Sequence, residues 1–265
     1  MFSALDDVIL ANHSLTALPV SKAKIKGKKI YYIQAYEPDY YAYRKGAVGW
    51  FLTHYADYSY KLSNLVKIVN SPIYFEYKNL KATKFVPCGL DRCTYYKKDN
   101  TKFFSKIKIG AIGRLEVFKG TAYVLDAFLE LLSLKTEYQF ELNLAFGDKV
   151  LENQYINCPQ PDGDFELAQF YREMDIIIAP GTTQYGAIHY PVIEAMACGT
   201  PVVTTYYMPA TDANAWLVEP HSVSSIVSQV LNILDDKANT TRKILRAFED
   251  IEQFNCCLLY TSRRG

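Results

Sequence analysis

Ile109-Gly-Ala-Ile-Gly-Arg-Leu-Glu-Val-Phe-Lys-Gly120 is the stretch on which the fold turns. The apolar positions Ile107, Ile109, Ala111 and Ile112 read as a buried strand that stops at Gly113. Two cations follow five residues apart, Arg114 and Lys119, and a helix pattern begins at Gly120-Thr121. That order suits a diphosphate. Backbone N–H groups approach closely where no Cβ blocks them, a helix start carries partial positive charge, and a guanidinium with an ammonium completes the neutralisation. The plain alternative is a strand end carrying two solvated charges.

A second motif fits the same site: Tyr190-Pro-Val-Ile-Glu-Ala-Met-Ala-Cys-Gly-Thr-Pro-Val-Val-Thr204. Pro191 suits a first helical turn, and Val192, Ile193, Met196 and Ala197 keep helical spacing. Gly199 can end the helix, Pro201 prevents its return, and Val202-Val203 reads as a buried strand. Glu194 is the odd residue, a carboxylate early in an apolar helix; the helix dipole alone would also favour it there.

Gly-Arg-x4-Lys-Gly followed by Pro-x2-Glu-Ala-x-Ala-x-Gly-x-Pro-Val-Val resembles the C-terminal, nucleotide-sugar-binding domain of the retaining GT-B glycosyltransferases of family four, group 1. The resemblance implies that Arg114 and Lys119 grip the donor diphosphate beside Gly113 and that Glu194 holds the ribose hydroxyls. Upstream, Phe85-Val-Pro-Cys-Gly-Leu-Asp91 is similar to the family's Val-Pro-Asn-Gly-Val-Asp lead-in to that domain, with Cys88 in place of Asn. Val69-Asn-Ser-Pro72, Asp7–His13 and Lys28–Pro38 resemble late segments of the N-terminal, acceptor-side domain. Within the last, Tyr31-Tyr-Ile-Gln-Ala-Tyr-Glu-Pro38 is similar to a subgroup that includes rhamnosyltransferases of surface polysaccharides. The likeness runs from about Asp7 to Phe254. It places an active-site histidine near His13, in a register shared with Asn12.

One position departs from the family. A glutamate that contacts the transferred sugar commonly stands eight residues before Glu194, and this chain has Gly186 there. Ala187-Ile-His-Tyr190 replaces the usual Gly-Phe-Gly-Leu, so His189 is either a substitute donor contact or a polar neighbour of the helix start. Both stereochemical courses stay open with that glutamate absent.

From Ile107 onward strands and helices alternate. The expected series is strand Ile107–Ile112, helix Thr121–Leu134, strand Phe140–Phe146, a short helix capped by Asp164 and running through Arg172, and strand Asp175–Ala179. Helix Pro191–Cys198, strands Pro201–Thr204 and Trp216–Val218, and helix Ser222–Leu234 follow. Such alternation implies an α/β fold, a Rossmann-like parallel sheet with helices on both faces, with ligands at the carboxyl ends of its strands. Gly113, Pro180–Thr183 and the Tyr190 region all follow strands and can converge on one crevice.

The N-terminal part carries strands at Val8–Ala11, Ile30–Ile33, Val66–Val69 and Lys84–Val86, a helix at Tyr58–Leu65, and a further helix opened by Ser71-Pro72. Nine of the 22 tyrosines fall between Tyr31 and Tyr60, either as a sugar-stacking face or as filling for a half-buried surface. These units are too few for a whole Rossmann-like domain, so residues 1–88 read as a partial second domain and 89–255 as the donor domain. Residues 256–265 read as a non-native tail. Cys257-Leu-Leu-Tyr-Thr-Ser262 is what TGT CTC TTA TAC ACA TCT encodes, a transposon end used as a sequencing adaptor.

Bulk properties exclude several classes. Net charge is +1 from 29 basic and 28 acidic residues over 265, so no field argues for nucleic acid. No apolar run reaches the length of a membrane span, and Met1–Asp7 lacks a signal peptide's basic start and apolar core. Six scattered cysteines and four histidines offer no structural zinc pattern and suit a reducing cytoplasm. No Gly-x-Gly-x2-Gly supports a dinucleotide-dependent dehydrogenase. Asp162-Gly-Asp164 is the only Asp-x-Asp spacing and sits in a polar stretch that reads as a loop before a helix cap. The expectation is therefore a bacterial, cytoplasmic, metal- and cofactor-free enzyme moving a sugar from a nucleoside-diphosphate donor to a carbohydrate or lipid-linked acceptor, with peripheral membrane association. A non-catalytic nucleotide-sugar or polysaccharide-binding protein on the same fold is the alternative.

Overall fold

The computed structural model describes residues 8–98 and 105–256, so the tail from Cys257 and the first residues through Asp7 lie outside it. The chain divides into two compact units, residues 1–88 and 89–265. In the first, strands β1 (Val8–Ala11), β2 (Lys28–Ile33), β3 (Val66–Val69) and β4 (Lys84–Phe85) form a parallel sheet in the order β1-β2-β3-β4. Helices α1 (Ser14–Lys22), α2 (Glu37–Tyr41) and α3 (Ala47–Ser59) connect them.

Sequence periodicity misplaced one helix here. Tyr58–Leu65 was expected to be helical, but α3 begins earlier, after Gly46, and ends at Ser59. Lys61 and Leu62 then donate their N–H groups to Tyr58 and Ser59 in a turn. The cause is Tyr60, whose ring is wholly buried and stacks between Tyr31 and Tyr36, each centroid 5.6 Å away. Tyr31 and Tyr60 fill the interior and Tyr36 is half-buried over them, whereas Tyr43 and Tyr58 are exposed. Ser71-Pro72 opens only a short 3-10 turn, Pro72–Phe75, without a side-chain cap.

The second unit holds a parallel sheet of β5 (Lys106–Ile112), β6 (Gln139–Ala145), β7 (Ile156–Asn157), β8 (Ile176–Ala179), β9 (Val202–Thr204) and β10 (Trp216–Leu217), in the order β10-β9-β8-β5-β6-β7. Helices α4 (Thr121–Ser133), α5 (Gly163–Glu173), α6 (Tyr190–Ala197), α7 (Val223–Asp235) and α8 (Lys237–Asp250) flank it. Strand alternation sends Ile107, Ile109 and Ala111 into one core with Val124, Phe128 and Leu131 of α4 and Val230 and Ile233 of α7. On the other side, a side chain at Gly110 would meet Met174 and Ile177, where α5 and α6 pack. Helix α8 went unread in the sequence, and Asp164 does not cap α5. Asp162 holds that N-cap place, and its N–H donates to Glu166 Oε2 at 2.8 Å.

Strand β5 is the first in this sheet and lies between β6 and β8, so the order reverses at the β5–β8 boundary. Crevices outside the carboxyl ends of parallel strands open at such reversals. Two glycines close the backbone there. A Cβ on Gly113 would fall 2.7 Å from Gly147 Cα, and one on Gly120 would fall 2.3 Å from the Pro180 carbonyl oxygen. Gly120 is also left-handed, φ +77°. Gly120→Ala is therefore expected to lower stability by about 1–3 kcal/mol, from backbone strain and the clash together. Urea unfolding followed by circular dichroism measures it, and an unchanged midpoint would contradict the close approach.

Candidate functional site

Strand β5 ends where Gly113 N–H donates to the Ala145 carbonyl at 2.7 Å. Arg114 follows, exposed, with its carbonyl accepting the Thr121 hydroxyl. A 3-10 turn, Val117–Lys119, then brings Lys119 to the start of α4. Gly120 holds the N-cap place of α4 without a side-chain cap, so the first N–H groups of the helix have no capping side chain. Burial, and next the Arg114 guanidinium, push the Lys119 ammonium pKa down from its ordinary value. The Phe118 N-terminal neighbour of Lys119 also ties this turn to the loop after β8: its carbonyl accepts from Thr182 N–H at 3.0 Å.

The loop after β8 turns through Gly181 and Gly186 into α6. Gly186 is left-handed at φ +87° and donates its N–H to Tyr206 O at 2.6 Å. His189 takes the N-cap place of α6, its carbonyl accepting from Val192 and Ile193 at 3.0 and 3.2 Å, and Pro191 sits in the first turn. The His189 ring stacks on Tyr207 at 4.5 Å between centroids. Burial, then Lys119, then Arg114, push its pKa down to about 3, so the imidazole is neutral.

One turn on, Glu194 accepts a hydrogen bond from the Tyr171 hydroxyl at 2.8 Å. Its pKa is pushed up to about 7, burial being the largest cause. The Tyr171 bond and Arg114 oppose that rise, while Asp164 adds to it. Arg114 thus acts electrostatically on both Glu194 and His189, and Lys119 acts on His189. Gly113, Arg114, Lys119, His189 and Glu194 come together at the carboxyl ends of β5 and β8. Sequence reasoning missed Tyr171, Asp164 as a neighbour of Glu194, and Tyr207. Tyr171 precedes Glu194 by 23 residues on another helix, and no local pattern signals that pairing.

His13 belongs to the first unit and caps α1. Its Nδ1 accepts from Leu15 N–H at 3.2 Å, which leaves the neutral ring's proton on Nε2. Nε2 lies 3.3 Å from Glu37 Oε2 and 3.2 Å from the Tyr41 hydroxyl. Glu37 is itself buried and accepts from Ser14 N–H at 2.8 Å. Both ring nitrogens are engaged. Among the described residues no three His, Cys, Asp or Glu side chains gather as a cation site, and five cysteines are free thiols.

Comparison with known proteins accords with this fold. Residues 106–236 match the family model of glycosyl transferases group 1. An uncharacterized glycosyltransferase of Methanocaldococcus jannaschii, MJ1069, is 25% identical over 224 residues, covering 77% of this chain and 55% of that protein. The D-inositol 3-phosphate glycosyltransferase of Corynebacterium jeikeium is 29% identical over 141 residues, 46% of this chain and 32% of that protein. The chain therefore spans about half the length, or less, of these curated relatives. Among solved structures, sucrose-phosphate synthase from Thermosynechococcus elongatus aligns with a TM-score of 0.77 at 18% identity, over 97% of this chain and 71% of that one. Anabaena Alr3699/HepE in complex with UDP and glucose aligns at 0.74 and 16%, over 97% and 76%.

Glu194 gives the site a pH signature. Its folded pKa of about 7 stands above the ordinary 4.5, so its protonated form favours folding. That stability is fully present below pH 4.5 and is lost as pH rises to about 7, a change on the order of 1–3 kcal/mol. Glu194→Gln should flatten this slope, and Tyr171→Phe should extend it to higher pH by removing a bond that favours the carboxylate. Urea unfolding across that range checks both; identical slopes in all three proteins would contradict the assignment.

Proposed function

This chain carries a group 1 glycosyltransferase domain on a GT-B fold, and on that premise we propose that it helps transfer a sugar from a nucleoside-diphosphate donor to a carbohydrate or lipid-linked acceptor. The convergence of Arg114, Lys119 and Glu194 at the β5–β8 reversal carries the reading. The diphosphate sits against the start of α4, where Arg114, Lys119 and backbone N–H groups neutralise the charge that develops as it leaves. Glu194 takes the ribose hydroxyls, its pKa raised by burial and held back by the Tyr171 hydrogen bond. These residues do the electrostatic work without a metal, and the reaction proceeds without one. His13 is the acceptor-side candidate, held through Nε2 by Glu37 and Tyr41. The free thiols accord with a cytoplasmic setting. Surface-polysaccharide synthesis rests on the Tyr31–Pro38 resemblance, and peripheral membrane contact belongs to the same reading.

A second reading, a nucleotide-sugar-binding protein without turnover, draws on Gly186. At φ +87° it is a position that a glutamate side chain occupies only with strain. Donor turnover by the chain extended to the length of its relatives separates the two.

Two measurements test the donor site. Arg114→Ala and Lys119→Ala should each weaken nucleoside-diphosphate binding by about 1.5–3 kcal/mol in calorimetry, the range of charge-assisted hydrogen bonds; unchanged affinity in both contradicts the diphosphate assignment. Glu194→Gln should narrow the preference for a ribonucleoside diphosphate over its 2′-deoxy analogue. Equal preference before and after the substitution would remove Glu194 from the ribose. Metal independence is read from turnover in excess chelator. Loss of turnover that magnesium restores, and that Asp162→Ala and Asp164→Ala also abolish, would overturn the mechanism.

A further inference from the structure

His189 stands beside the two cations yet lies outside the Arg–Lys–Glu set, and its ring is held with unusual care. Tyr207 stacks on it at 4.5 Å and 22°. The Tyr207 hydroxyl in turn donates to the Thr183 carbonyl at 2.6 Å. Gly181 makes room for that hydroxyl, since a Cβ there would fall 2.3 Å from it. The imidazole is therefore fixed in place by three residues of the loop after β8 and the turn after β9. Its Nδ1 nevertheless is buried without a hydrogen-bond partner. A buried polar atom left unpaired costs free energy, and such atoms in folded proteins mark a missing partner or a functional role.

The chemistry of the surroundings narrows what that partner is. Burial disfavours a positive charge on the ring, and Lys119 and Arg114 would both repel one there. The ring stays neutral, with one N–H and one lone pair. A group that satisfies two cations and a neutral N–H together is an anion whose oxygens only accept. We propose that His189 is a further binding contact of the donor: its Nδ1–H donates to an oxygen of the diphosphate that Arg114 and Lys119 neutralise. This inference rests on the donor site proposed above and adds to it a position that resembles none of the family's usual Gly-Phe-Gly-Leu residues. The neutral donor contributes orientation without raising the local positive charge, because a hydrogen bond to a fixed ring is directional where a point charge is not.

Side-chain isosteres make the proposal testable. The amide of Asn places a polar atom near imidazole Nδ1, whereas that of Gln reaches the position of Nε2. UDP, GDP, ADP and dTDP would be titrated into the chain by calorimetry, the tightest kept as probe, and the corresponding nucleotide-sugar measured alongside. Against this probe His189→Ala and His189→Gln should lose about tenfold or more in affinity, and His189→Asn should stay within about threefold of the unsubstituted chain, as expected for one hydrogen bond to a charged group. Thermal unfolding accompanies each variant, and if His189→Ala fails to fold, the Asn and Gln pair decides. Equal affinity in all the His189 variants, with binding weakened by Arg114→Ala, overturns this proposal and leaves the donor site standing. Loss of affinity for the nucleotide-sugar alone, with the nucleoside diphosphate unaffected, moves the contact to the sugar and also overturns it. No binding of any probe, or binding indifferent to Arg114→Ala, removes the donor site and this proposal together.

Discussion

The Pro180 carbonyl lies where a side chain on Gly120 would have to begin, 2.3 Å from that Cβ position. This backbone approach joins the turn after β5 to the loop after β8, and the candidate site depends on it. Strand order reverses between those two strands, so neither the sheet nor a connecting helix fills the space beyond their ends. Glycine at 120 supplies both the left-handed backbone and the missing bulk. With it in place, Thr182 N–H reaches the Phe118 carbonyl, Lys119 turns toward the helix start, and His189 and Glu194 arrive from α6 on the far side.

The electrostatics follow from that enclosure. Low-dielectric surroundings make each charge more costly alone and more effective toward a ligand. Lys119 is pushed down by burial and by Arg114, and Glu194 is pushed up toward neutrality while Tyr171 holds it by a hydrogen bond. His189 gives up its charge altogether. Glu116 acts on Lys119 and Asp164 on Glu194, so the two cations and the neutral imidazole sit among carboxylates rather than alone.

Much of this could be read in advance, and the exceptions have physical causes. Strand β5, helix α4 and helix α6 announce themselves because apolar runs end at glycines and are followed by cations or a helix start. Gly113 was read as room for a ligand, yet the structure gives it a second reason, contact with Gly147 and Leu144 at the end of β6. Helix α8 is polar overall but amphipathic, with Thr240, Ile244 and Ala247 buried on one face, so its periodicity was legible and simply went unread. Helix α3 was displaced in the reading because Tyr60 looks helical in sequence but is captured by Tyr31 and Tyr36. The Tyr171–Glu194 bond and the Tyr207–His189 stack are tertiary pairings, and no spacing rule encodes them. The capping of α1 by His13, with Glu37 closing on its other nitrogen, is likewise a partnership across 24 residues that only folding assembles.

The most direct test of the account is amide chemical-shift mapping of the isotope-labelled chain during titration with a nucleoside diphosphate. The account expects the largest shifts at Gly113 through Ala122 and at Ile188 through Ala195, the turns that flank the β5–β8 reversal, with the opposite ends of the same strands unmoved. Shifts confined to the other end of the sheet, around Lys106 and Gln139, or spread without focus, would contradict it.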